Sequence, residues 1–238
     1  MKSTKRIFNV ASYKRFDTLL KMLESIHEQA DVINVVMNYD YDVKYWDKRV
    51  EKDTIEERFE KCNVLWSFNE IGDGEKFSDL MESDGYFFTV DDDLLYPPNY
   101  AEFMIDAFER YEGRAIMALH GRNFHSWPIE SYYNSPFTKY RVLGSVTHDV
   151  QVEFAGTCVT MWHTDLMKFN PYEVILHPNM GDIWLAQEAA KLNIPIICLA
   201  HDATFVDYLL NKEDETIFTK YKKEHSIQTE VANRIYCK

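Results

Sequence analysis

YFFTVDDD, residues Tyr86–Asp93, is the stretch on which the reading of this chain turns. Five strand-forming residues, Tyr86–Val90, run directly into three carboxylates, Asp91, Asp92 and Asp93. A short apolar run of this kind is what a buried strand looks like. Three adjacent acids at its end repel one another and cost stability unless a cation neutralises them. In open α/β sheets, ligands bind outside the carboxyl ends of the strands. Hard divalent metals take carboxylate oxygens and often share them with substrate phosphates. The triplet therefore reads as a metal–diphosphate site, with an exposed acidic turn as the plainer alternative.

Outward from that strand, helix and strand signals alternate. Upstream, Ile7 to Ala11 is short and β-rich, and Phe16, Leu19, Leu20, Leu23 and Ile26 then recur at helical spacing. DVINVVMN, 31–38, is a second strand, and Asn63 to Ser67 a third. Residues 39–61 are charged and carry no clear pattern. Gly72-Asp73-Gly74 marks a turn, after which Phe77, Leu80 and Met81 open a short helix. Downstream, Pro97-Pro98 starts a helix whose apolar face is Tyr100, Phe103, Met104, Ala107, Phe108 and Tyr111. Ala115 to Leu119 is another strand. Residues 121–150, rich in Tyr, Ser, His and Pro, read as a long functional loop. Val152 to Trp162 is a strand interrupted by Gly156, Asp182 to Leu192 a helix, and Ile194 to Leu199 a last buried strand. The tail from 211 is polar and charged. This alternation predicts an α/β sandwich with a mostly parallel central sheet.

The 238 residues are 46% apolar and 27% charged, the composition of a globular protein with a real core. A net charge of -13 argues against generic wrapping of nucleic acid, which needs a surplus of Lys and Arg. It leaves room for a local basic groove, for which Lys139, Arg141, Lys220, Lys222 and Lys223 are candidates. Cys62, Cys158, Cys198 and Cys237 are scattered, without zinc or disulfide spacing, as expected of reduced thiols in the cytoplasm. No signal peptide is visible and no run is long enough for a membrane span, so no stable membrane insertion is expected.

Further motifs flank the triplet. Ala11-Ser12-Tyr13-Lys14-Arg15 follows the first strand, where Arg15 suits a phosphate. Gly72-Asp73-Gly74-Glu75-Lys76 forms a turn whose glycines permit close approach, and Asp73 there also fits a helix cap. Met180-Gly181-Asp182-Ile183-Trp184 places Asp182 at a helix start, where capping is the competing role. Leu199-Ala200-His201-Asp202 puts a His just past the last strand, and a lone His is more often structural. His120-Gly121-Arg122 follows the fifth strand and suits a donor sugar or diphosphate. Gly156-Thr157 breaks a strand, as happens where a ligand comes close to backbone. Trp127, Tyr132, Tyr133, Trp162 and Trp184 are candidate stacking rings, each alone more often packing.

In this order the motifs resemble the GT-A-fold glycosyltransferases, near the family-2-like group, over about residues 5–205. The resemblance implies one GT-A-like domain over 1–238. Residues 5–120 would bind the nucleotide-sugar, 121–210 would serve acceptor and catalysis, and 211–238 would form a tail. It places Ala11, Ser12, Tyr13, Arg15, Asp73, Lys76, Asp91 and Asp92 on the donor, joined by His120 and Arg122. Asp91, Asp93 and His201 become metal ligands for Mn²⁺ or Mg²⁺, the imidazole suiting manganese. Asp182 becomes the general base of an inverting reaction, and Gly181 stands where the family often has a first acid. Gly156, Thr157 and Trp184 fall to the acceptor.

The resemblance implies transfer of a sugar from a nucleotide-diphosphate donor to a hydroxyl. UDP is the expected nucleotide and glucose the default sugar. The acceptor is either a glycan or a hydroxymethylated DNA base, the latter as for glycosyltransferases of large phages. A sugar nucleotidyltransferase is the rival enzyme, but Val10-Ala11-Ser12-Tyr13-Lys14 lacks the glycine-rich phosphate loop it would need. A sugar-binding module with a dead site is the non-enzymatic alternative.

Overall fold

The computed structural model describes residues 3–40, 44–209 and 225–237. Lys220, Lys222 and Lys223, and the tail from 211 to 224, lie outside the described residues. Strands β1 (Arg6–Tyr13), β2 (Val32–Asn38), β3 (Cys62–Ser67) and β4 (Tyr86–Val90) pair in parallel. Helix α1 (Phe16–Ile26) joins the first two and α2 (Tyr45–Arg58) the next two. After β4 come the short β5 (Leu94–Leu95), helix α3 (Tyr100–Arg110) and β6 (Ile116–Ala118). The remaining strands are β7 (Gly121–Phe124), β8 (Phe137–Tyr140), β9 (Val150–Val152), β10 (Phe154–Ala155), β11 (Val159–His163), β12 (Ile196–Cys198) and β13 (Asp207–Tyr208). Helices α4 (Pro171–Val174), α5 (Gly181–Lys191) and α6 (Ser226–Tyr236) complete the described elements.

Among the described residues the main sheet has eight strands in the order β3-β2-β1-β4-β11-β6-β12-β9. Only β11 and β9 run against the rest, because β11 is antiparallel to both β4 and β6, and β9 to β12. The sheet is thus mostly parallel, as expected. The run read as one strand over 152–162 is three, split among partners. β9 and β11 join the main sheet, while β10 joins a small sheet with β7 and β8.

β4 explains its own sequence. Phe88 stacks on Phe8 at 4.4 Å, with Tyr100 of α3 against both. Phe87 points the other way, onto Trp162 at 5.1 Å, and Trp162 meets Phe77. All are fully buried. A central strand covered on both faces has no polar alternation to show.

Three expectations differ in detail. The unassigned 39–61 contains α2, whose charge is carried by pairs one turn apart, Arg49 with Asp53 and Lys52 with Glu56. The expected loop 121–150 contains the β7–β8 hairpin. The helix expected after Gly74 is instead a tight 3₁₀ turn over Gly72–Phe77, with Met81 exposed. Gly72 has a φ of 63°, and a Cβ there would sit 2.8 Å from the Asn179 backbone nitrogen, so only glycine lets this turn press against the 175–181 segment.

A polar ladder crosses the buried sheet. Asn9, Asn34 and Asn63 are in register on β1, β2 and β3. The Asn34 amide donates to Asn9 Oδ1 at 2.9 Å and to Asp79 Oδ2 at 2.9 Å, and Asn63 donates to Asn34 Oδ1 at 3.2 Å. A one-residue slip would leave these groups unpaired, so the ladder fixes register. Asn34→Ala strips partners from three groups at once and should cost about 1–3 kcal/mol, read as a lower urea midpoint. An unchanged midpoint would mean the ladder contributes nothing to folding.

Candidate functional site

The loops that leave parallel strands on one edge bring the site together. Asp91–Asp93 leave β4. Beside them, the end of β1 supplies Ser12 and the start of α1 is preceded by Arg15. Ser12 Oγ donates to Asp92 Oδ2 at 2.6 Å. Arg15 Nη1 donates to Asp92 Oδ1 at 3.2 Å and Asp93 Oδ2 at 2.8 Å. Lys76, buried under the sheet edge, pairs with Asp91 and has Thr157 Oγ1 at 3.5 Å. Two cations thus face three carboxylates. Burial, with Asp91 and Asp92 alongside, pushes Asp93 up to about 7 despite Arg15 and Lys76. Burial also raises Asp92, against its bonds to Ser12 and Arg15. Burial works to lower Lys76, but Asp91 and Asp73 outweigh it and hold the ammonium charged. The cluster remains one positive charge short, the condition a bound cation relieves.

β1 runs further than expected, through Tyr13. Ala11 is still in the ladder, paired with Val36, and Tyr13 reaches Asp40 at 2.8 Å, leaving its ring half-exposed at the rim.

Asp73 lies where the 72–77 turn meets α5. Its carboxylate accepts the Gly181 N–H at 3.1 Å and 3.2 Å. A Cβ on residue 181 would come within 2.9 Å of Asp73 Oδ2, so Asp73 fills the room a side chain at 181 would take. Burial pushes Asp73 up to about 7, with Lys76 opposing and Asp182 and Asp91 adding to the rise. Asp182, in the first turn of α5, accepts the Ile183 N–H through Oδ1 at 3.0 Å and the Tyr132 hydroxyl through Oδ2 at 2.7 Å. One oxygen is thus turned to the helix and the other to the Tyr132 loop.

The other expected residues divide. Thr157 stands beside the Lys76–Asp91 pair. The group that crowds Gly156 is the His120 ring, 3.2 Å from where a Cβ would be, so this close approach is made by protein. Burial pushes His120 down to about 3, with Lys139, Arg122, Arg141 and His201 adding to it. Its Nδ1 accepts the Val142 N–H at 3.4 Å. Arg122 is held over the rings of Tyr132 and Phe137. Trp184 is 2% exposed and donates to the His177 carbonyl, so it offers no open face for an acceptor. His201 has both ring nitrogens against backbone carbonyls, Leu199 at 2.7 Å and Arg141 at 3.2 Å. In that orientation it presents no lone pair to the triplet. Among the described residues, no three His, Cys, Asp or Glu side chains converge as a ready-made metal site. Asp91 and Asp93 fit as hard oxygen donors; His201, as oriented, does not.

Two participants were not assigned roles from sequence. Tyr132 carried a weak signal as one aromatic among many, and its bond to Asp182 spans fifty residues. Tyr96 accepts the Asp91 N–H at 2.9 Å and donates to the Cys158 carbonyl at 2.7 Å, tying the triplet to the chain before β11. Its place five residues after Asp91 gave no hint of this.

No family model and no curated protein matches the sequence. Solved structures do match in shape. GalNAc-T7, crystallised with UDP, GalNAc and Mn²⁺, superposes with a TM-score of 0.61 at 8% identity, covering 90% of this chain and 45% of that one. The mannosyltransferase PcManGT from Pyrobaculum calidifontis, in complex with GDP-Man and Mn²⁺, gives 0.53 at 12% identity, covering 98% of this chain and 70% of its own. TarS of S. aureus gives 0.50 at 15%, covering 98% and 42%. The chain therefore spans less than half the length of two of the three. The shared architecture is the GT-A fold. Among the described residues, no helix is long and apolar enough to cross a membrane.

The titration of Asp73 has a stability consequence. Its folded value, about 7, lies above that of the unfolded chain, so the folded state keeps a proton the unfolded chain has lost. That stabilisation is complete below about pH 4 and is lost as pH rises through about 7. Asp73→Asn keeps an oxygen for Gly181 N–H but does not ionise. It should gain on the parent protein between those pH values, by up to about 4 kcal/mol in urea titrations. A gap that does not change with pH would show Asp73 ionising freely.

Proposed function

We propose that the chain is a metal-dependent glycosyltransferase that moves a sugar from a nucleotide-diphosphate donor to a hydroxyl acceptor. The observation that carries this reading is the Asp91–Asp93 cluster. It lies at the carboxyl end of β4, where three carboxylates outnumber the cations Arg15 and Lys76, and the buried Asp73 feels the charges of both Asp91 and Asp182. In a sheet of this type that edge is the ligand crevice.

Asp91 and Asp93 would hold Mn²⁺ or Mg²⁺, which supplies charge neutralisation for a departing diphosphate. Ser12 and Arg15 fix Asp92 and Asp93 against the β1 end, where the nucleotide enters. Tyr13 at the rim offers a ring to the base. Lys76 holds Asp91 and keeps its own charge in the buried floor. Asp73 anchors the first turn of α5, and so aims Asp182. Asp182 takes the proton from the acceptor hydroxyl through the oxygen that Tyr132 orients, giving a single displacement with inversion at the sugar carbon. Two of the structures of similar shape, GalNAc-T7 and PcManGT, were solved with UDP and GDP-mannose, which supports a nucleotide-sugar donor; UDP with glucose is the starting choice. The acceptor is a glycan or a hydroxymethylated DNA base.

Calorimetric titration with a panel of nucleoside diphosphates and their sugars, with and without Mn²⁺, tests the reading. One nucleotide should bind only with metal, and Asp93→Ala should abolish it. Asp182→Asn should retain donor binding and lower kcat by about 100-fold or more, the share a general base contributes. A folded protein that binds none of them would sink the donor site.

A further inference from the structure

The hairpin that the sequence hid carries an unexplained charge arrangement. Arg122 on β7 stands directly opposite Lys139 on β8. Arg141 follows directly after β8, and its charge reaches both Lys139 and His120. Like charges directly opposite one another destabilise an antiparallel pair. The crowding bears on ionisation: partial loss of solvent around the otherwise exposed Lys139 lowers it, with Arg122 and Arg141 adding to the shift, and the same cations add to the burial that drives His120 neutral. Among the described residues, neither Arg122 nor Arg141 is paired with a carboxylate.

The geometry holds the charge in place. The Arg122 guanidinium lies over the Tyr132 ring at 4.5 Å and the Phe137 ring at 5.0 Å. Its Nη1 donates to the Tyr132 carbonyl at 3.2 Å. A guanidinium carries five N–H donors in a rigid fork, and most of these are left for a ligand. Lys139 and Arg141 are exposed beside it. The face is also next to the candidate site. Tyr132 binds Asp182, and the His120 ring lies on Gly156, one residue from the Thr157 that flanks Lys76.

We propose that Arg122, Lys139 and Arg141 form a phosphate-binding subsite on the β7–β8 face of the cleft. A phosphate dianion accepts the Arg122 fork and is neutralised by the two exposed cations, which removes the cross-strand repulsion. Two substrates bring such a group to this cleft: the diphosphate of the donor, and an acceptor that is itself phosphorylated. Assigning the phosphate to a substrate rests on the transferase reading; the anion site itself does not.

The test is calorimetric titration of the full chain with inorganic phosphate in metal-free buffer, then again after saturation with the nucleotide and Mn²⁺. The Lys139→Gln/Arg141→Gln variant, changed only at exposed positions, is compared by circular dichroism and titrated in parallel. Lys139→Gln alone serves if the double variant does not fold. Phosphate should bind the parent chain and bind the variant about tenfold more weakly or worse. Binding that persists beside the nucleotide assigns the subsite to a phosphorylated acceptor; binding that the nucleotide abolishes assigns it to the donor diphosphate. No phosphate binding, or equal binding by the variant, overturns the subsite even if nucleotide and Mn²⁺ bind normally. Phosphate binding lost in the variant, with no nucleotide bound at all, leaves the subsite standing and removes the transferase reading.

Discussion

Three carboxylates in succession at the end of a doubly buried strand need counter-charge, and much of the chain is arranged to bring it. β1 and β4 are adjacent and parallel, so the segments that follow them emerge on the same edge. That is why Ser12 and Arg15, eighty residues earlier, meet Asp92 and Asp93. Lys76 arrives from a 3₁₀ turn that glycine alone permits. Each of these contacts answers the same electrostatic demand, and together they leave it incompletely met. An ion pair network at a surface would be worth little. Here the groups are largely buried, and breaking one partner leaves a charge in a poor solvent.

The parts of this arrangement that were legible in the sequence are those set by local pattern. The apolar run of β4, the acids behind it, and the helical spacing of α1 and α3 each sit within a dozen residues. α2 was illegible because its surface is mostly charged and Ile55 is the one fully buried apolar side chain among its described residues, too little to show a helical stripe. The Asn9–Asn34–Asn63 ladder was hidden because a polar residue within a strand reads the same whether it is bonded across the sheet or faces water. Tyr132 and Tyr96 act through partners far away in the chain, which no spacing encodes. His201 was correctly placed at a strand end, but the direction of its ring depends on which carbonyls surround it. Trp184 shows the same limit: helical position says nothing of which side of α5 is covered.

At 8–15% identity the architecture is shared with little shared sequence. In this chain it is built on a covered central strand, a glycine turn over 72–77 pressed against the segment before α5, and polar groups at the sheet edge. Beside that edge lie the β7–β8 hairpin and the loop that carries Tyr132. The hairpin region carries the charges of Arg122, Lys139 and Arg141.

One contact of α6 sets an order of events. The loop bearing Tyr132 is gripped by a single stripe of that helix. Thr229 Oγ1 accepts the Tyr132 N–H, and the Asn233 amide exchanges two bonds with the Ile129 backbone. Tyr236 lies against Trp127. The residue that bonds Asp182 is therefore seated by a helix about a hundred residues further along the chain. β1 to β4 and their acids precede α6 in the chain, so a growing polypeptide can form the charged edge before Tyr132 is seated against Asp182. The Tyr132–Asp182 contact thus depends on a helix made well after the acids at the end of β4.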